Sequence, residues 1–452
     1  MNTAFFLDAI SPWLSDDDGP VRARLTLAIR QAIGAGRLPQ GYRFPAERIL
    51  ARALNVSRPT VSGVIDDLRS SALVTSRQGS GTWVEGAGPV LGPPIPFVEM
   101  IQAAGLIDLA SATAPDASFL PAMRVETTDL LLAEPANGLS PMGLWSLREA
   151  IARRAARFVP DTTGENVIIT SGAHQALALV VAALAGRGSS VLVEETTYGG
   201  LVDMIRANGC RPVGISRDSD GVVPSVLEKL LGQHKPSLII LVSPVHSPSG
   251  TISSPQRCDD LAQVLASSDA QVVLDETYAD LEFAPSGRPL STRLGEQAIR
   301  IGSLSKTLWT GLRTGWIISD SNTVTSIVRR RWQQFDLGPS VASQLFALRS
   351  LEGIDDRLVR RCGSLRNRAE WMNEALTAAS GDWDPAPVHG GLAMWVGLAV
   401  DGGVFANEAA RRGVAVLPGS ACRADNADTP HVRICFDRPI DVLQAALERL
   451  TD

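Results

Sequence analysis

The stretch IGSLSKTLWTGLRTGW, residues 301–316, contains the most informative residue of this chain. A strand-like apolar run leads into it, and its Lys306 is one of only three lysines in 452 residues; the other 39 basic residues are arginines. A lysine amine can form a Schiff base with an aldehyde, whereas a guanidinium cannot. Ser303, Ser305 and Arg313 offer hydroxyl groups and a fork-shaped cation that suit a phosphate. The stretch therefore predicts a chemical site around Lys306.

The segments around this stretch alternate between two patterns. Short apolar runs such as NVIIT, SVLVEE, SLIILVSP, AQVVLDE and IRIGSL have the length and composition of buried strands. Helix-like stretches such as GAHQALALVVAALAG separate them. This alternation is typical of βαβ units and predicts an α/β fold with a largely parallel sheet from about residue 106 onward.

Side chains at the predicted strand ends suit a pyridoxal ring. In AQVVLDETYADLEF, Asp275 ends a predicted buried strand, and a carboxylate there can keep a pyridine nitrogen protonated, which makes the ring an electron sink. Tyr278, three residues on, can donate to the phenolic oxygen of such a ring. Tyr198 follows another strand, where an aromatic side chain can stack on the ring.

A glycine turn supplies a predicted phosphate cradle. In ITSGAHQALALV, a strand leads through the turn into a helix, whose first backbone N–H groups can bind an anion. The N–H groups in question belong to Gly172, Ala173 and His174. Each feature by itself has an ordinary structural explanation, so the argument rests on their combination and order.

Together these segments resemble fold-type-I aminotransferases over about residues 106–452. The matching blocks are SGAHQAL, TTYGG, SPVHSPSG, DETY, SLSK with LRTGW, HGGLAMW, VLPGS and HVRICF. The resemblance implies a pyridoxal 5'-phosphate (PLP) cofactor, a large domain with a mostly parallel sheet and a small C-terminal α/β subdomain. It implies that Lys306 is the catalytic Schiff-base lysine, that Asp275 pairs with the pyridine nitrogen, and that Arg433 binds a ligand carboxylate. The other cofactor-binding residues that it implies are Tyr278, Tyr198, Gly172, Ala173, His174, Ser247, Ser303, Ser305 and Arg313.

This chain departs from the aminotransferase pattern at three places. The usual Asn-Pro-Thr-Gly motif reads Ser-Pro-Ser-Gly at residues 247–250, and the shorter Ser247 stands where an asparagine donates to the cofactor. Gly138 stands where the family has a tyrosine that reaches the phosphate of the partner subunit, and His174 stands where glutamine is common. We expect the chain to bind the cofactor despite these changes. Whether it also catalyses efficient transamination is not decided by them.

The N-terminal part has a different charge from the rest. Residues 21–84 contain ten arginines and three acids, which gives them a net charge of +7. Because the whole chain has a net charge of −6, the remaining residues together carry −13. A basic module on an acidic body suggests a polyanionic partner for the module alone, although a solvated basic face is an equal alternative on charge alone.

The same residues predict a winged helix. VRARLTLAIRQAIGAG and FPAERILARAL have helical periodicity, and Pro45 fits the first turn of the second helix. Ile49, Leu50 and Leu54 form its apolar face. After a short turn, Ser57 is a suitable N-cap for RPTVSGVIDDLRS, which predicts a helix-turn-helix with this third helix as the recognition helix. LVTSR and TWVE follow as two strands around a Gly-rich tip.

Residues 21–85 resemble the winged-helix domain of the GntR family of bacterial regulators. The resemblance implies double-stranded operator DNA as the partner, with the recognition helix in the groove and the wing tip near the minor groove. The DNA-binding residues that it implies are Arg43, Arg48, Ser57, Arg58, Thr60, Ser62, Gly79, Ser80 and Gly81. The alternative is a protein-interaction winged helix that has lost DNA binding.

The composition bounds the remaining possibilities. At 45% hydrophobic and 20% charged residues, with a mean hydropathy of +0.08, the chain is a packed globular protein. It has no apolar run long enough to cross a bilayer, and its acidic N-terminus does not resemble a signal peptide. Five scattered cysteines indicate neither a metal site nor a disulfide framework. We therefore expect a cytoplasmic protein with free thiols.

Between the two regions, GAGPVLGPPIPF reads as a semi-rigid linker. The predicted organisation is a DNA-binding domain at residues 1–85, a linker at 86–105, and an aminotransferase-like domain at 106–452 that binds PLP, senses and dimerises. This combination resembles the MocR/GabR subfamily of GntR regulators.

The resemblance implies a homodimeric, PLP-dependent transcriptional regulator whose effector is an amino compound or PLP itself, with at most residual transaminase activity. The alternative function is an active aminotransferase with an accessory winged helix. A degenerate scaffold without cofactor is disfavoured because Lys306 and Asp275 are both present.

Overall fold

The computed structural model describes residues 3–10, 20–34, 38, 42–70, 73–77, 81–84, 105–113, 117–133, 137–284, 287 and 289–451. Contacts divide the chain into two compact units, Met1–Pro96 and Phe97–Asp452. Gly79, Ser80 and nearly all of the predicted linker lie outside the described residues.

The first unit is a winged helix, as predicted. Its described elements are α1 (Thr3–Ala9), α2 (Val21–Gly34), α3 (Glu47–Ala53), α4 (Arg58–Ser70), β1 (Val74–Arg77) and β2 (Gly81–Val84). Leu25, Leu50 and Leu68 lie in its buried core. Between α3 and α4, Asn55 adopts a left-handed conformation with φ of +53°. The two strands pair antiparallel, with Arg77 opposite Gly81.

Local signals at the start of α3 and α4 explain where these helices begin. The Ser57 hydroxyl accepts a hydrogen bond from the Thr60 backbone N–H at 3.2 Å, which is the predicted N-cap. Two details differ from expectation. Pro45 precedes α3 rather than lying in its first turn, because Ala46 is the N-cap residue. Ile49 is exposed, so the buried face of α3 consists of Leu50 and Leu54 without it.

The second unit is built on a seven-stranded sheet with the order β4-β12-β11-β10-β9-β5-β6. Only β12 runs antiparallel to its neighbours. Its strands are β4 (Val167–Thr170), β5 (Ser190–Glu194), β6 (Arg211–Ile215), β9 (Leu238–Val242), β10 (Gln271–Asp275), β11 (Ala298–Ser303) and β12 (Gly315–Ile318). β4, β5 and β11 are buried at every position, as expected for a sheet covered on both faces. The predicted α/β class is confirmed.

Helices cover this sheet and extend to the C-terminus. They are α5 (Thr127–Leu132), α6 (Trp145–Ala155), α7 (Ala173–Leu184), α8 (Gly199–Ala207), α9 (Pro224–His234), α10 (Pro255–Ala266), α11 (Leu290–Leu294), α12 (Leu304–Thr307), α13 (Ser321–Gln334), α14 (Val341–Leu351), α15 (Ile354–Ala379), α16 (Gly402–Arg411) and α17 (Ile440–Thr451). Among the described helices, none is long and apolar enough to cross a membrane.

A smaller sheet forms the C-terminal part of this unit. Its order is β13-β14-β17-β16, and its pairs are antiparallel. The remaining strands are short pairs outside it. The bounds are β3 (Ile107–Asp108), β7 (Arg217–Asp218), β8 (Gly221–Val222), β13 (Trp383–Pro385), β14 (Ala393–Leu398), β15 (Val414–Ala415), β16 (Leu417–Pro418) and β17 (His431–Cys435). β3 pairs parallel with β15, which joins the start of the described unit to its C-terminal part.

Candidate functional site

The carboxyl ends of neighbouring strands bring the predicted cofactor residues together. Asp275 is the last residue of β10, and it pairs with Ile301 of β11 in a parallel register. Lys306 lies on α12, the four-residue helix that follows β11 directly. Because ligands of open α/β sheets bind at this edge, the topology places the predicted chemistry where such folds carry their sites.

Lys306 is partly buried, and its amine donates a hydrogen bond to the Ala112 carbonyl. Burial lowers the pKa of Lys306 to about 8, and repulsion from Arg433 and Arg313 acts in the same direction, while Asp275 opposes it. A lysine with this pKa has a far larger neutral fraction near neutral pH than an exposed lysine. The neutral amine is the nucleophilic form that carbonyl chemistry requires.

Asp275 and Tyr278 are both buried beside this amine. Asp275 accepts hydrogen bonds from the backbone N–H of Thr277 at 3.0 Å and from its hydroxyl. Burial raises the pKa of Asp275, and these bonds together with Lys306 counteract the rise. Burial also raises the pKa of Tyr278, so its phenol stays protonated, while Arg433 and the Ser247 side chain counteract the rise.

The predicted phosphate cradle has the geometry of an anion site. Gly172 has a φ of +106° and is the N-cap of α7. The Arg313 guanidinium donates to the Ser171 carbonyl at 2.7 Å and would lie 3.6 Å from a Cβ atom at Gly172. Nearby, the Ser305 hydroxyl is buried and has no hydrogen-bond partner among the described residues. A buried unpaired hydroxyl, a glycine turn and an arginine fit a bound phosphate group.

The Ser303 hydroxyl already makes two hydrogen bonds to neighbouring backbone groups. Its hydroxyl accepts from the Ser305 backbone N–H at 3.1 Å, which caps α12, and donates to the Thr314 carbonyl at 3.0 Å. A phosphate contact through this hydroxyl hydrogen would break the second bond. Of the two serines, Ser305 therefore has the side chain better placed to bind a phosphate.

Tyr198 and His174 form a pair at the other side of the turn. The phenol oxygen lies 3.0 Å from His174 Nδ1, and the two rings meet edge to face. Burial raises the pKa of Tyr198 to about 12. A Cβ atom at Gly200 would lie 2.5 Å from the Tyr198 ring, so only glycine leaves room for the ring in this position.

Arg433 reaches the same pocket from β17 of the smaller sheet. It is buried, and its guanidinium donates to the Ala110 carbonyl. Its charge acts on Lys306 and Tyr278. The residues from Ala110 to Ala112 were missed at the level of sequence, because they act through backbone carbonyls, which leave no side-chain signal. Cys435 also borders Lys306 and could have been found, because alternate strand residues share a face with Arg433.

The predicted DNA-binding residues lie on the surface of the winged helix. Arg48, Ser57 and Arg58 are exposed, Thr60 and Ser62 are partly exposed on α4, and Gly81 is exposed at the start of β2. The Arg58 guanidinium lies 3.6 Å from Glu47.

Other arginines of the winged helix have partners within the domain. Arg43 packs over the Trp83 ring. Acids neutralise part of the basic excess, since Arg22 contacts Asp67 at 2.5 Å and Arg69 contacts Asp66 at 2.7 Å.

The fold and the pocket define a fold-type-I PLP domain joined to a winged-helix DNA-binding module. Residues 104–450 match the aminotransferase class I and II family, and residues 22–84 match the bacterial regulatory proteins of the gntR family. The chain belongs to the aminotransferase class I and II family and, through its GntR-type winged helix, to the MocR type of DNA-binding regulators. The cofactor of this family is PLP.

Relatives and solved structures agree with this assignment. The chain is 26% identical to the HTH-type transcriptional regulator YisV of Bacillus subtilis (strain 168), over 93% of this chain and 92% of that protein. It is 30% identical to the vitamin B6 salvage pathway transcriptional repressor PtsJ of Salmonella typhimurium (strain LT2), over 68% and 69%. An archaeal alanine:glyoxylate aminotransferase structure matches with a TM-score of 0.68 at 25% identity, over 76% of this chain and 90% of that one.

We predict that Gly315→Ala weakens PLP binding at least about tenfold, or about 1.4 kcal/mol. A Cβ atom at Gly315 would lie 2.6 Å from the Gly172 carbonyl carbon and 2.8 Å from the Ala173 nitrogen, so the backbone of the phosphate turn would have to move. An absorbance titration with PLP measures the effect. Gly232→Ala, where nothing lies within 4 Å of the added atom, is the control. Equal affinities in the two variants would contradict the assignment of this turn.

Proposed function

We propose that this chain regulates transcription through a PLP-binding pocket that senses an amino compound or PLP itself. The observation that supports this most strongly is the convergence of Lys306, Asp275 and Arg433 in one pocket of the second unit, while the polar face of α4 in the first unit stays open for DNA. The free cytosol, where both operator DNA and PLP are available, is the compartment that this function requires.

Each part of the cofactor has candidate residues in the pocket. When bound, PLP supplies an aldehyde that condenses with amines and a ring that withdraws electrons. Lys306 would hold the aldehyde carbon, Asp275 the pyridine nitrogen, and Tyr278 with Ser247 the phenolic oxygen. Tyr198 would contact the ring face. The phosphate would be held by the N–H groups of Gly172, Ala173 and His174 and by the side chains of Ser305 and Arg313.

Arg433 is the candidate for recognising a ligand carboxylate. A buried carboxylate needs a paired cation, and a guanidinium can offer it two parallel hydrogen bonds. A pair in which both groups are charged is stronger than the bond that Arg433 now donates to the uncharged Ala110 carbonyl. Arg433 can therefore exchange its backbone partner for a ligand carboxylate.

This exchange offers a route from the pocket to the winged helix. Lys306 and Arg433 both donate to carbonyls of the segment 110–112, and this segment follows the predicted linker in the chain. Ligands that engage these two cations would release both carbonyls together. Their release would loosen the chain next to β3, which pairs with β15 and lies between this segment and the predicted linker, so occupancy of the pocket can change the state of the DNA-binding unit.

A homodimer is part of this proposal. Large apolar side chains are exposed on the second unit, among them Leu131, Leu132, Trp332 and Leu337. A contiguous apolar patch marks an interaction face, and the proposed dimer would cover these side chains. A dimer carries two winged helices and would bind two half-sites.

An active aminotransferase is the second candidate function. The low pKa of Lys306 and the presence of Arg433 in its pocket favour it, and a relative, the 2-aminoadipate transaminase of Thermus thermophilus, is 28% identical over 62% of this chain. Sustained turnover with an amino donor and a keto acid, without specific binding to the DNA upstream of the gene, would decide for the enzyme. Specific DNA binding with little turnover would decide for the regulator.

We predict that borohydride reduction of the PLP-loaded protein fixes the cofactor on Lys306. Mass spectrometry of the digested protein identifies the labelled lysine. Lys306→Ala should lose the label and the visible absorbance but keep its thermal unfolding transition, because the side chain belongs to no hydrophobic core cluster. Lys306→Arg keeps the charge without the carbonyl chemistry and is the matched control. A label on Lys229 or Lys235 would overturn the assignment.

We predict that Arg58→Ala weakens operator binding by about 1–3 kcal/mol if the side chain reads a base. Glu47→Gln should instead tighten binding, because the acid 3.6 Å from the Arg58 guanidinium competes with DNA for it. Fluorescence anisotropy over a range of salt concentrations measures both effects, with an expected slope of about −0.9 per phosphate contact. Arg69→Ala, which removes a side chain already paired with Asp66, is the control. Binding that does not depend on salt would refute this interface.

We predict that Arg433→Ala abolishes the absorbance response to an amino-acid effector while ligand-free DNA binding persists. The variant removes the only charge proposed for the ligand carboxylate and lies outside the winged helix. Titration of both proteins with free PLP, followed by operator binding, separates the two effector classes. If PLP is the effector, as the name of the relative PtsJ suggests, the variant should respond like the wild type, and the amino-acid version would be wrong.

A further inference from the structure

Next to Ser247 lies a ring of five polar side chains, joined by four hydrogen bonds and one closing contact between a ring nitrogen and a carboxylate, which we call the His246 network. It consists of Glu194, Arg217, Thr251, Ser249 and His246. Arg217 donates to Glu194 through one nitrogen and to the Thr251 hydroxyl at 2.9 Å through another. Thr251 and Ser249 lie 2.7 Å apart through their hydroxyls, and Ser249 lies 2.7 Å from His246 Nδ1. His246 Nε2 closes the ring, 3.2 Å from Glu194.

Only one arrangement of protons satisfies this ring. A guanidinium only donates and a carboxylate only accepts. Thr251 accepts from Arg217, so its own hydrogen is available for Ser249, and the hydrogen of Ser249 is available for His246 Nδ1. The opposite direction would leave Nε2 unprotonated against two acceptors, the Glu194 carboxylate and the Thr196 carbonyl. His246 is therefore the neutral tautomer with its proton on Nε2.

Burial keeps His246 in that form. Both His246 and Glu194 are buried, at 3% and 1% exposure. Burial and the charge of Arg217 hold the pKa of His246 well below its usual range. A neutral imidazole with one donor and one acceptor nitrogen can bridge two backbone segments without adding a charge to the pocket above it.

The network touches the two turns that carry cofactor residues. His246 Nε2 donates to the Thr196 carbonyl at 2.9 Å, two residues before Tyr198. Ser247 follows His246 directly, and its side chain lowers the pKa of Tyr278 against the effect of burial. Glu194 also accepts from the Val242 backbone N–H at 2.7 Å, where the loop after β9 begins. The network thus joins the turn of Tyr198 to the loop of Ser247.

This link is important because residues 247–250 have the sequence Ser-Pro-Ser-Gly. The side chain of Ser247 is short, so its hydroxyl depends on the position of its backbone to reach the cofactor. Ser249 supplies the hydroxyl that orients the imidazole. The two contacts of the imidazole add to the backbone hydrogen bonds that hold this loop, such as His246 N–H to the Thr251 carbonyl at 2.9 Å.

We propose that His246 is a positioning residue of the cofactor site, which sets the Tyr198 turn and the Ser247 loop at a fixed separation through its two ring nitrogens. The inference rests on the proposed role of the pocket in binding PLP. His246 does not contact the cofactor; it acts through Tyr198 and Ser247.

Three substitutions of His246 test the contacts of its two ring nitrogens separately. His246→Gln can still place a donor near the Thr196 carbonyl, and His246→Asn can still place an acceptor near Ser249, while His246→Leu loses both. We expect the Leu variant to weaken PLP binding about tenfold or more, as misplaced binding groups do, with smaller losses in Gln and Asn. Induced circular dichroism of the bound cofactor, which reports its orientation, should change in the same order. Ser249→Ala removes the same contact as His246→Gln and should act like it, or more mildly in the same direction.

The control is Arg148→Leu, which breaks another buried polar contact of the same unit, since Arg148 donates to the Gly164 and Val167 carbonyls at 3.0 Å each. It should lower the melting temperature of the cofactor-free protein without changing the dichroism. If the His246 and Ser249 variants lose only stability and keep the wild-type dichroism and PLP affinity, the proposal is wrong. Borohydride labelling of wild-type Lys306 keeps the outcomes distinct, because a missing label overturns the proposed function instead.

Discussion

The parallel pairing of β10 with β11 is the constraint on which the rest of the site depends. It brings Asp275 at the end of one strand alongside the strand that leads to Lys306. Because every backbone group of these buried strands is committed to the sheet, the two side chains cannot drift apart. The glycine turn before α7, the loop of Ser247 and the turn of Tyr198 are attached to the same edge of the sheet, so one register organises the whole pocket.

The pocket holds three positively charged side chains close together. Their repulsion destabilises the folded protein, and an anionic ligand would offset this effect. Lys306, Arg433 and Arg313 repel one another, with Asp275 as the opposing carboxylate that acts on the lysine. Two of these cations now donate to backbone carbonyls of residues 110–112. Anionic groups of a cofactor or an effector suit such a pocket better than carbonyls do, because a full negative charge compensates buried cations more completely. The same electrostatics thus supports binding and the release of a backbone segment.

The His246 network next to the pocket has no net charge. In the His246 network, Arg217 and Glu194 compensate each other, and the imidazole adds no charge. In the winged helix the balance is different, since acids on α3 and α4 neutralise some arginines and leave others, such as Arg48, on the surface. The first unit therefore presents charge outward, while the second unit directs it into a cavity, as a DNA-binding module and a sensor require.

The sequence by itself determined the class of both units and most of the pocket. The rarity of lysine singled out Lys306, the strand-ending pattern found Asp275 and Tyr198, and Ser57 marked the start of the recognition helix, because such signals are local. Tertiary structure decided the rest. Ile49 is exposed although it fits an apolar face, and Ser303 is used as a cap, since packing and hydrogen-bond competition depend on neighbours distant in the chain. The carbonyls of Ala110 and Ala112 and the tautomer of His246 were likewise beyond the sequence, because they arise only when separate strands and loops meet in space.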